Sequence, residues 1–68
     1  MAVEEVEKRI QECINDRITS LDLRGLGLTQ IPRQIQQLTW LEKLDLSENQ
    51  LEKIEGLEGL KSLRELYL

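Results

Sequence analysis

The sequence contains no histidine and a single cysteine, Cys13. An internal disulfide needs two cysteines and a cysteine–histidine metal cluster needs several such ligands, so neither can stabilise this chain. Histidine is also the commonest general base in enzymes. The sequence shows no glycine-rich phosphate loop and no nucleophile with a base beside it. Carboxylate pairs alone would bind a cation only weakly. We therefore expect a protein that is not an enzyme and holds no metal and no cofactor.

Aromatic residues and long apolar runs are equally scarce. No apolar run approaches the roughly 20 residues of a membrane span, and the acidic start does not resemble a signal peptide. The 13 acidic and 9 basic residues give a net charge of −4, which argues against nucleic acid or an anionic membrane as a partner. We expect one small domain in a reducing compartment, either the cytoplasm or the bacterial cytosol of a recombinant host.

Leucine is what the chain has in abundance, and its spacing is distinctive. In the stretch 41–54 the apolar residues follow a three-residue step, a two-residue step and a gap that holds Asn49, an order that fits neither a helix nor an ordinary strand. It predicts a short strand whose leucines point inward, followed by a turn whose backbone groups bond to the Asn49 amide. The apolar members are Leu41, Leu44, Leu46, Leu51 and Ile54.

The same order recurs on both sides of this stretch. Shifting the sequence against itself aligns the stretch with 18–31, where Leu26 replaces Asn49, and with a later partial unit that ends at Leu66-Tyr67-Leu68. The return from Ile31 to Leu38 predicts a brief helical or 3₁₀ segment. The second shift is one residue shorter than the first, so we expect the second return to be tighter and closer to 3₁₀.

An amphipathic helix is predicted before the repeats, from about Val3 to Asn15, with Asn15 as its C-terminal cap. Its polar face is mostly acidic, which disfavours a membrane-surface role, and a helix in this place would shield the first repeat from water. Cys13 lies on its apolar stripe, where a thiol acts as a small hydrophobe. Arg17 aligns with Trp40 of the next repeat and is predicted to lie over its indole.

These L-x-x-L-x-L units, one of them with its asparagine, resemble the leucine-rich repeat family. The first looks like the longer bacterial and Roco-type repeat class, and the second like the shorter class of phosphatase regulatory subunits. The resemblance implies an α/β fold: a short solenoid with a capping helix, parallel strands on the concave side, short helical or 3₁₀ segments on the convex side, and a role in protein recognition. The mixed classes and the ending in mid-unit also look like an engineered module or a cut fragment.

The predicted organisation has four parts. They are the capping helix (1–16), the first repeat (17–39), the second repeat (40–61) and the strand of a partial third repeat (62–68). Strands stacked in register would place their outward side chains in columns whose members are about 4.8 Å apart. Asp22 and Asp45 would repel each other modestly, with Arg24 and Lys43 offsetting part of this. The resulting candidate binding face, here called the polar strand face, comprises Ser20, Asp22, Arg24, Lys43, Asp45, Ser47, Glu65 and Tyr67.

Two functional hypotheses follow. In the first, the chain is a non-catalytic scaffold that self-associates through its uncapped last strand, because uncovered leucines next to free backbone groups favour strand pairing. In the second, it is a protein-binding module that uses the polar strand face. The expected partners are a second copy, further repeats at the C-terminal end or a protein ligand. The candidate surface for self-association, here called the C-terminal edge, comprises Leu63, Leu66, Tyr67 and Leu68.

Overall fold

The computed structural model describes residues 3–68, and for Val3 its backbone alone. Met1 and Ala2, which belong to the predicted capping helix, lie outside the described residues. The elements are one α-helix, three strands and one 3₁₀ segment. In chain order they are α1 (Val3–Asp16), β1 (Ser20–Asp22), the 3₁₀ segment (Arg33–Gln37), β2 (Lys43–Asp45) and β3 (Glu65–Tyr67).

Helix α1 forms where the apolar stripe predicted it. Val6, Ile10 and Cys13 recur every three or four residues, which places them on one face, and they are 5%, 2% and 1% exposed. On the solvent side, Glu5 and Arg9 are one turn apart and their charged groups approach to 3.4 Å. The buried stripe faces β1, so the helix covers that end of the sheet.

The helix ends one residue later than predicted, and Asn15 is not its capping residue. It continues to Asp16, and Arg17 adopts the left-handed conformation with φ of 50°. The Ile18 amide then donates to the Cys13 carbonyl at 3.1 Å, which is the six-to-one bond of a Schellman motif. This ending directs Ile18 and the following strand back along the buried face of the helix.

The three strands form one parallel sheet in the order β1-β2-β3. Ser20 lies opposite Lys43, and Lys43 lies opposite Glu65, so both alignments read from the leucine spacing are confirmed, including the shorter second one. Parallel strands need long crossover connections, and here each crossover is one complete repeat.

Leucines of successive repeats form the core. At the centre of the three strands Leu21, Leu44 and Leu66 are neighbours, because each lies opposite the next in the strand register. The side chains with 0% exposure come from the first repeat, its return and the middle repeat: Leu23, Ile35, Leu38, Leu41 and Leu44. A chain of this length has little surface to bury, and it concentrates that burial around the middle repeat.

The two returns differ more than their lengths suggest. The first contains the predicted 3₁₀ segment, with Ile35 fully buried beneath it. The second is not a continuous 3₁₀ segment but a series of turns, in which Leu60 donates to the Leu57 carbonyl and Leu63 to the Leu60 carbonyl, both at 3.1 Å. Both bonds join an amide to the carbonyl three residues earlier, which is the bond of a 3₁₀-helix, so the expected 3₁₀ character is present in separate turns.

Candidate functional site

Asn49 ties the middle repeat to the one before it. Its side-chain oxygen accepts hydrogen bonds from the backbone amides of Leu26 and Leu28 at 3.0 and 2.9 Å. Its amide nitrogen donates to the carbonyls of Leu23 and Leu46 at 2.8 and 2.9 Å. The predicted role of Asn49 in the turn is confirmed. One side chain thus supplies both donors and acceptors to two turns that lie partly away from water.

The N-terminal side of the sheet is closed by α1 and its C-terminal residues. Arg9 donates from its guanidinium to the Asp22 carbonyl at 2.8 Å. At the helix end, the Ile18 carbonyl accepts from the Trp40 indole and from the Cys13 thiol, both at 3.0 Å. Burial raises the pKa of this thiol, and the hydrogen bond with Trp40 opposes that shift. The thiol is therefore held protonated, as a packing group.

Arg17 lies over Trp40, as the alignment of the repeats predicted. Its guanidinium carbon is 4.4 Å from the centroid of the indole ring. The same Arg17 occupies the left-handed position that ends α1. A single residue therefore both reverses the chain and fastens the helix end to the second repeat, a contact worth about 0.5–1 kcal/mol at an exposed site.

Two columns of the polar strand face have the predicted register. Ser20, Lys43 and Glu65 form one column, and Asp22, Asp45 and Tyr67 form the next. The position of Arg24 and Ser47 one step further on is supported by the hydrogen bond from the Gly25 amide to the Ser47 carbonyl at 3.0 Å.

The two aspartates of this face accept hydrogen bonds from the residues that follow them. Asp22 accepts from the Arg24 backbone amide at 2.9 Å, and Asp45 accepts from the amide and hydroxyl of Ser47. At Asp45 the hydrogen bonds from the Ser47 hydroxyl and then from its amide have the largest effect and lower the pKa below its usual value. The charges of Arg24 and Lys43 add to it, in agreement with the predicted partial compensation of the two aspartates. Both carboxylates thus bind the turns that follow their strands. The Arg24 guanidinium forms its ion pair with the carboxylate of Glu48, at 3.6 Å.

The remaining side chains of the face also contact one another. The Tyr67 hydroxyl donates to the Glu65 carboxylate at 2.7 Å, and the Lys43 ammonium lies 5.6 Å from the centroid of the Tyr67 ring. The hydrogen bond to Glu65, followed by the negative charge of that group, raises the pKa of Tyr67 above its usual value. Most polar side chains of the polar strand face thus have a partner within the face or in the turns beside it.

The C-terminal edge differs from the rest of the sheet in exposure. Leu66 and Leu68 are 39% and 60% exposed, whereas Leu44 and Leu46, at equivalent places one repeat earlier, are 0% and 1% exposed. Tyr67 is also exposed, but Leu63 is only partly so and packs against the core. Three of the four predicted edge residues are thus exposed, with Leu66 and Leu68 on the apolar side of the sheet and Tyr67 on the polar strand face.

The backbone of β3 presents a free side at this edge. The Glu65 amide donates to the Glu42 carbonyl and the Tyr67 carbonyl accepts from the Leu46 amide, so residues 65 and 67 direct their backbone groups towards β2. Successive residues of a strand point their backbone groups to opposite sides. Leu66 therefore directs its amide and carbonyl away from β2, and β3 is the last strand in the sheet order for residues 3–68.

A polar depression lies on the other side of the molecule, between the two returns. Its lining carries charges of both signs, and none of its residues is a serine, cysteine or histidine that a neighbouring base could activate. Within residues 3–68 there is no group of three or more potential metal-binding side chains, and no helix has the length and apolarity needed to cross a membrane. The lining residues are Gln30, Ile31, Arg33, Gln36, Lys53, Glu55, Gly56 and Glu58.

Comparison with known proteins agrees with the strand register and the asparagine-bound turn. The family model for the leucine-rich repeat matches residues 16–68. The chain therefore belongs to the leucine-rich repeat family. No match was found in the comparison with curated proteins or in that with solved structures. Members of this family are typically protein-binding repeat modules without catalytic activity.

Sequence reasoning missed two groups that organise the surface. Arg9 pairs with Glu5 on the surface of α1, as their spacing of four residues indicates, and it also bonds to the end of β1. Glu48 was not singled out, although it pairs with Arg24 of the polar strand face at 3.6 Å. Glu48 has a positive φ of 59°, and its place just before the turn residue Asn49 was the signal that a specialised turn lay there.

Proposed function

We propose that this chain is a non-catalytic, protein-binding repeat module and that its binding surface is the C-terminal edge, through which two copies associate. The observation that carries the proposal is the contrast in exposure between equivalent leucines. Leu44 and Leu46, which have a following strand beside them, are 1% exposed or less, and the same positions in and after β3 remain open. A second β3 strand would cover them and pair the free backbone groups.

The energetic gain from such pairing is large for so small a chain. Burying a leucine side chain completely contributes about 1.5–3 kcal/mol. Because the seam is two-fold, each exposed leucine of the edge is buried in both copies and contributes two times to the association. Ile54 is 51% exposed, and lies in the second repeat at the position of Ile31, which is partly buried against the core. Its side chain supports an apolar end surface that extends beyond β3 itself.

The test is the solution mass of the 68-residue chain as a function of concentration. We expect a reversible increase from 8.0 kDa to twice that mass. The variant Leu68→Lys places a charge on the edge and is expected to weaken association at least tenfold, because it removes apolar burial from both copies at the seam. Leu68 is the most exposed residue of the edge, so this change leaves the fold intact.

A matched control uses an apolar residue of similar exposure away from the edge. Ile18 is 40% exposed and lies between α1 and β1, so Ile18→Lys is expected to leave association unchanged. A chain that stays monomeric at every concentration while melting cooperatively would contradict self-association. Equal weakening by both lysine variants would show that general apolar contact, not the edge, drives it.

The polar strand face is the second candidate surface. Tyr67 supports this surface, because the residue is 44% exposed and lies opposite Asp45 in the strand register. Lys43→Glu distinguishes the two surfaces, since it reverses a charge on the face and leaves the leucines of the edge unchanged. If Lys43→Glu abolished association and Leu68→Lys did not, the polar strand face would be the binding surface.

A further inference from the structure

We infer that two copies pair antiparallel through their β3 strands with a two-fold axis at Leu66. This inference rests on the proposed self-association and adds its register, which the geometry of a single copy restricts. A two-fold operation that joins one strand edge to itself must reverse the strand direction. The question is which residue of one copy lies opposite which residue of the other.

Side-chain direction removes half of the possible registers. Directly opposite residues of an antiparallel pair project to the same face of the sheet. Leu66 projects to the apolar face, whereas Glu65 and Tyr67 belong to the polar strand face. A slip by one residue would place leucine opposite tyrosine or glutamate and bring a charged group to the apolar side. The axis must therefore lie between the two copies of one and the same residue, so that this residue is directly opposite its own counterpart.

Backbone direction is consistent with the same restriction. Leu66 presents both its amide and its carbonyl to the open side, because its two neighbours direct theirs to β2. With the axis at Leu66, this residue and its counterpart exchange two hydrogen bonds. Just outside β3, Leu68 approaches Arg64 of the other copy on each side of the axis, and the Arg64 amide keeps its own bond to the Glu42 carbonyl at 2.7 Å. All of β3 takes part in the seam.

Charge distinguishes this register from its neighbours. With the axis at Glu65, two carboxylates would lie directly opposite each other, which destabilises a strand pair. With the axis at Tyr67, the two Tyr67 side chains would lie opposite each other, and neither Glu65 would have a Tyr67 hydroxyl directly across the seam. With the axis at Leu66, each Glu65 lies opposite a Tyr67 of the other copy, so the hydroxyl that bonds to Glu65 of its own chain can donate to Glu65 across the seam in its place.

A second copy is therefore a self-complementary occupant of this edge. Leu66 meets Leu66, Leu68 meets the aliphatic stem of Arg64, the Tyr67 hydroxyl meets the Glu65 carboxylate, and the outward amide and carbonyl of Leu66 meet their counterparts. A strand of an unrelated protein or a further repeat could also cover the leucines. Either of those occupants would leave the isolated 68-residue chain monomeric, so the measured mass separates them from a second copy.

Disulfide trapping tests the register. In the proposed arrangement the two Leu66 positions form a hydrogen-bonded pair with Cα atoms about 5.5 Å apart, within the range of a disulfide. The two Tyr67 positions are diagonal neighbours at roughly 7–8 Å, beyond that range. Under mild oxidation we expect Leu66→Cys to form a covalent dimer and Tyr67→Cys to remain mainly uncoupled. Cys13 can stay in both variants, because it is 1% exposed.

A second pair of variants keeps the test valid if Leu66→Cys folds poorly. Glu65→Cys and Tyr67→Cys alter exposed side chains, and an equal mixture of the two is expected to form the mixed disulfide, since these positions lie opposite each other about 4.5 Å apart. Coupling of Tyr67→Cys with itself, in a chain that is dimeric by mass, would overturn the register and leave self-association standing. A monomeric mass would overturn both.

Discussion

Removing the Asn49 side chain is expected to have the largest effect of any single polar substitution in the chain. Asn49→Ala would leave the amides of Leu26 and Leu28 and the carbonyls of Leu23 and Leu46 without their partners. An orphaned buried group costs about 1–3 kcal/mol, and partial burial reduces this to about 1 kcal/mol each. The expected loss in the free energy of unfolding is therefore about 3–4 kcal/mol.

That loss is a large share of the stability of a small domain, which is roughly 3–10 kcal/mol at this length. The melting temperature is expected to fall by roughly 15–30 °C, measured by circular dichroism at one fixed protein concentration. Asn15→Ala is the matched control, because Asn15 is exposed and accepts one bond from Gln11. Its effect is expected to stay within about 0.5 kcal/mol. A loss below about 1 kcal/mol for Asn49→Ala would refute the role assigned to the amide.

Three further predictions concern a glycine, a tyrosine and the thiol. Gly56 has φ of 88°, and a Cβ there would also meet a side chain of the first return at 3.1 Å. Gly56→Ala is therefore expected to lower the free energy of unfolding, measured by chemical denaturation, by at least about 1 kcal/mol. Gly59→Ala is the control and is expected to change it very little, because the space around Gly59 is open. Since Glu65 raises the pKa of Tyr67, the contribution of this pair to stability is fully present below about pH 10 and is lost as the pH rises through the folded-state pKa. An absorbance titration should show that Tyr67 ionises at lower pH in the variant Glu65→Gln. An unchanged titration would contradict the hydrogen bond between the two side chains. Native Cys13 should react with a thiol reagent about tenfold more slowly for every ~1.4 kcal/mol needed to expose it, and a rate equal to that in denaturant would contradict its burial.

The parts of the fold that periodicity encodes were predictable. The spacing of leucines determined both strand registers, and the single asparagine in that spacing identified the side chain that bonds to the turns. The contact between Arg17 and Trp40 followed from the same alignment. These features repeat from one unit to the next, so a shift of the sequence against itself contains them.

Features that depend on one local geometry were not predictable in this way. The end of α1 is set by a left-handed Arg17 and not by Asn15, because a Schellman ending depends on which carbonyls the chain meets as it reverses. Arg24 pairs with Glu48, and this was not predicted because an exposed guanidinium has several carboxylates at similar distances with which it can pair. Register identifies neighbours but does not decide which of them share a hydrogen bond.

Amide hydrogen exchange at two protein concentrations tests the central claim most directly. The Tyr67 amide points towards β2 and the Leu66 amide points to the open edge. The account predicts that Tyr67 is protected at both concentrations and that Leu66 exchanges rapidly at the low concentration and becomes protected at the high one. A Leu66 amide that exchanges equally fast at both concentrations would contradict pairing of two copies through β3.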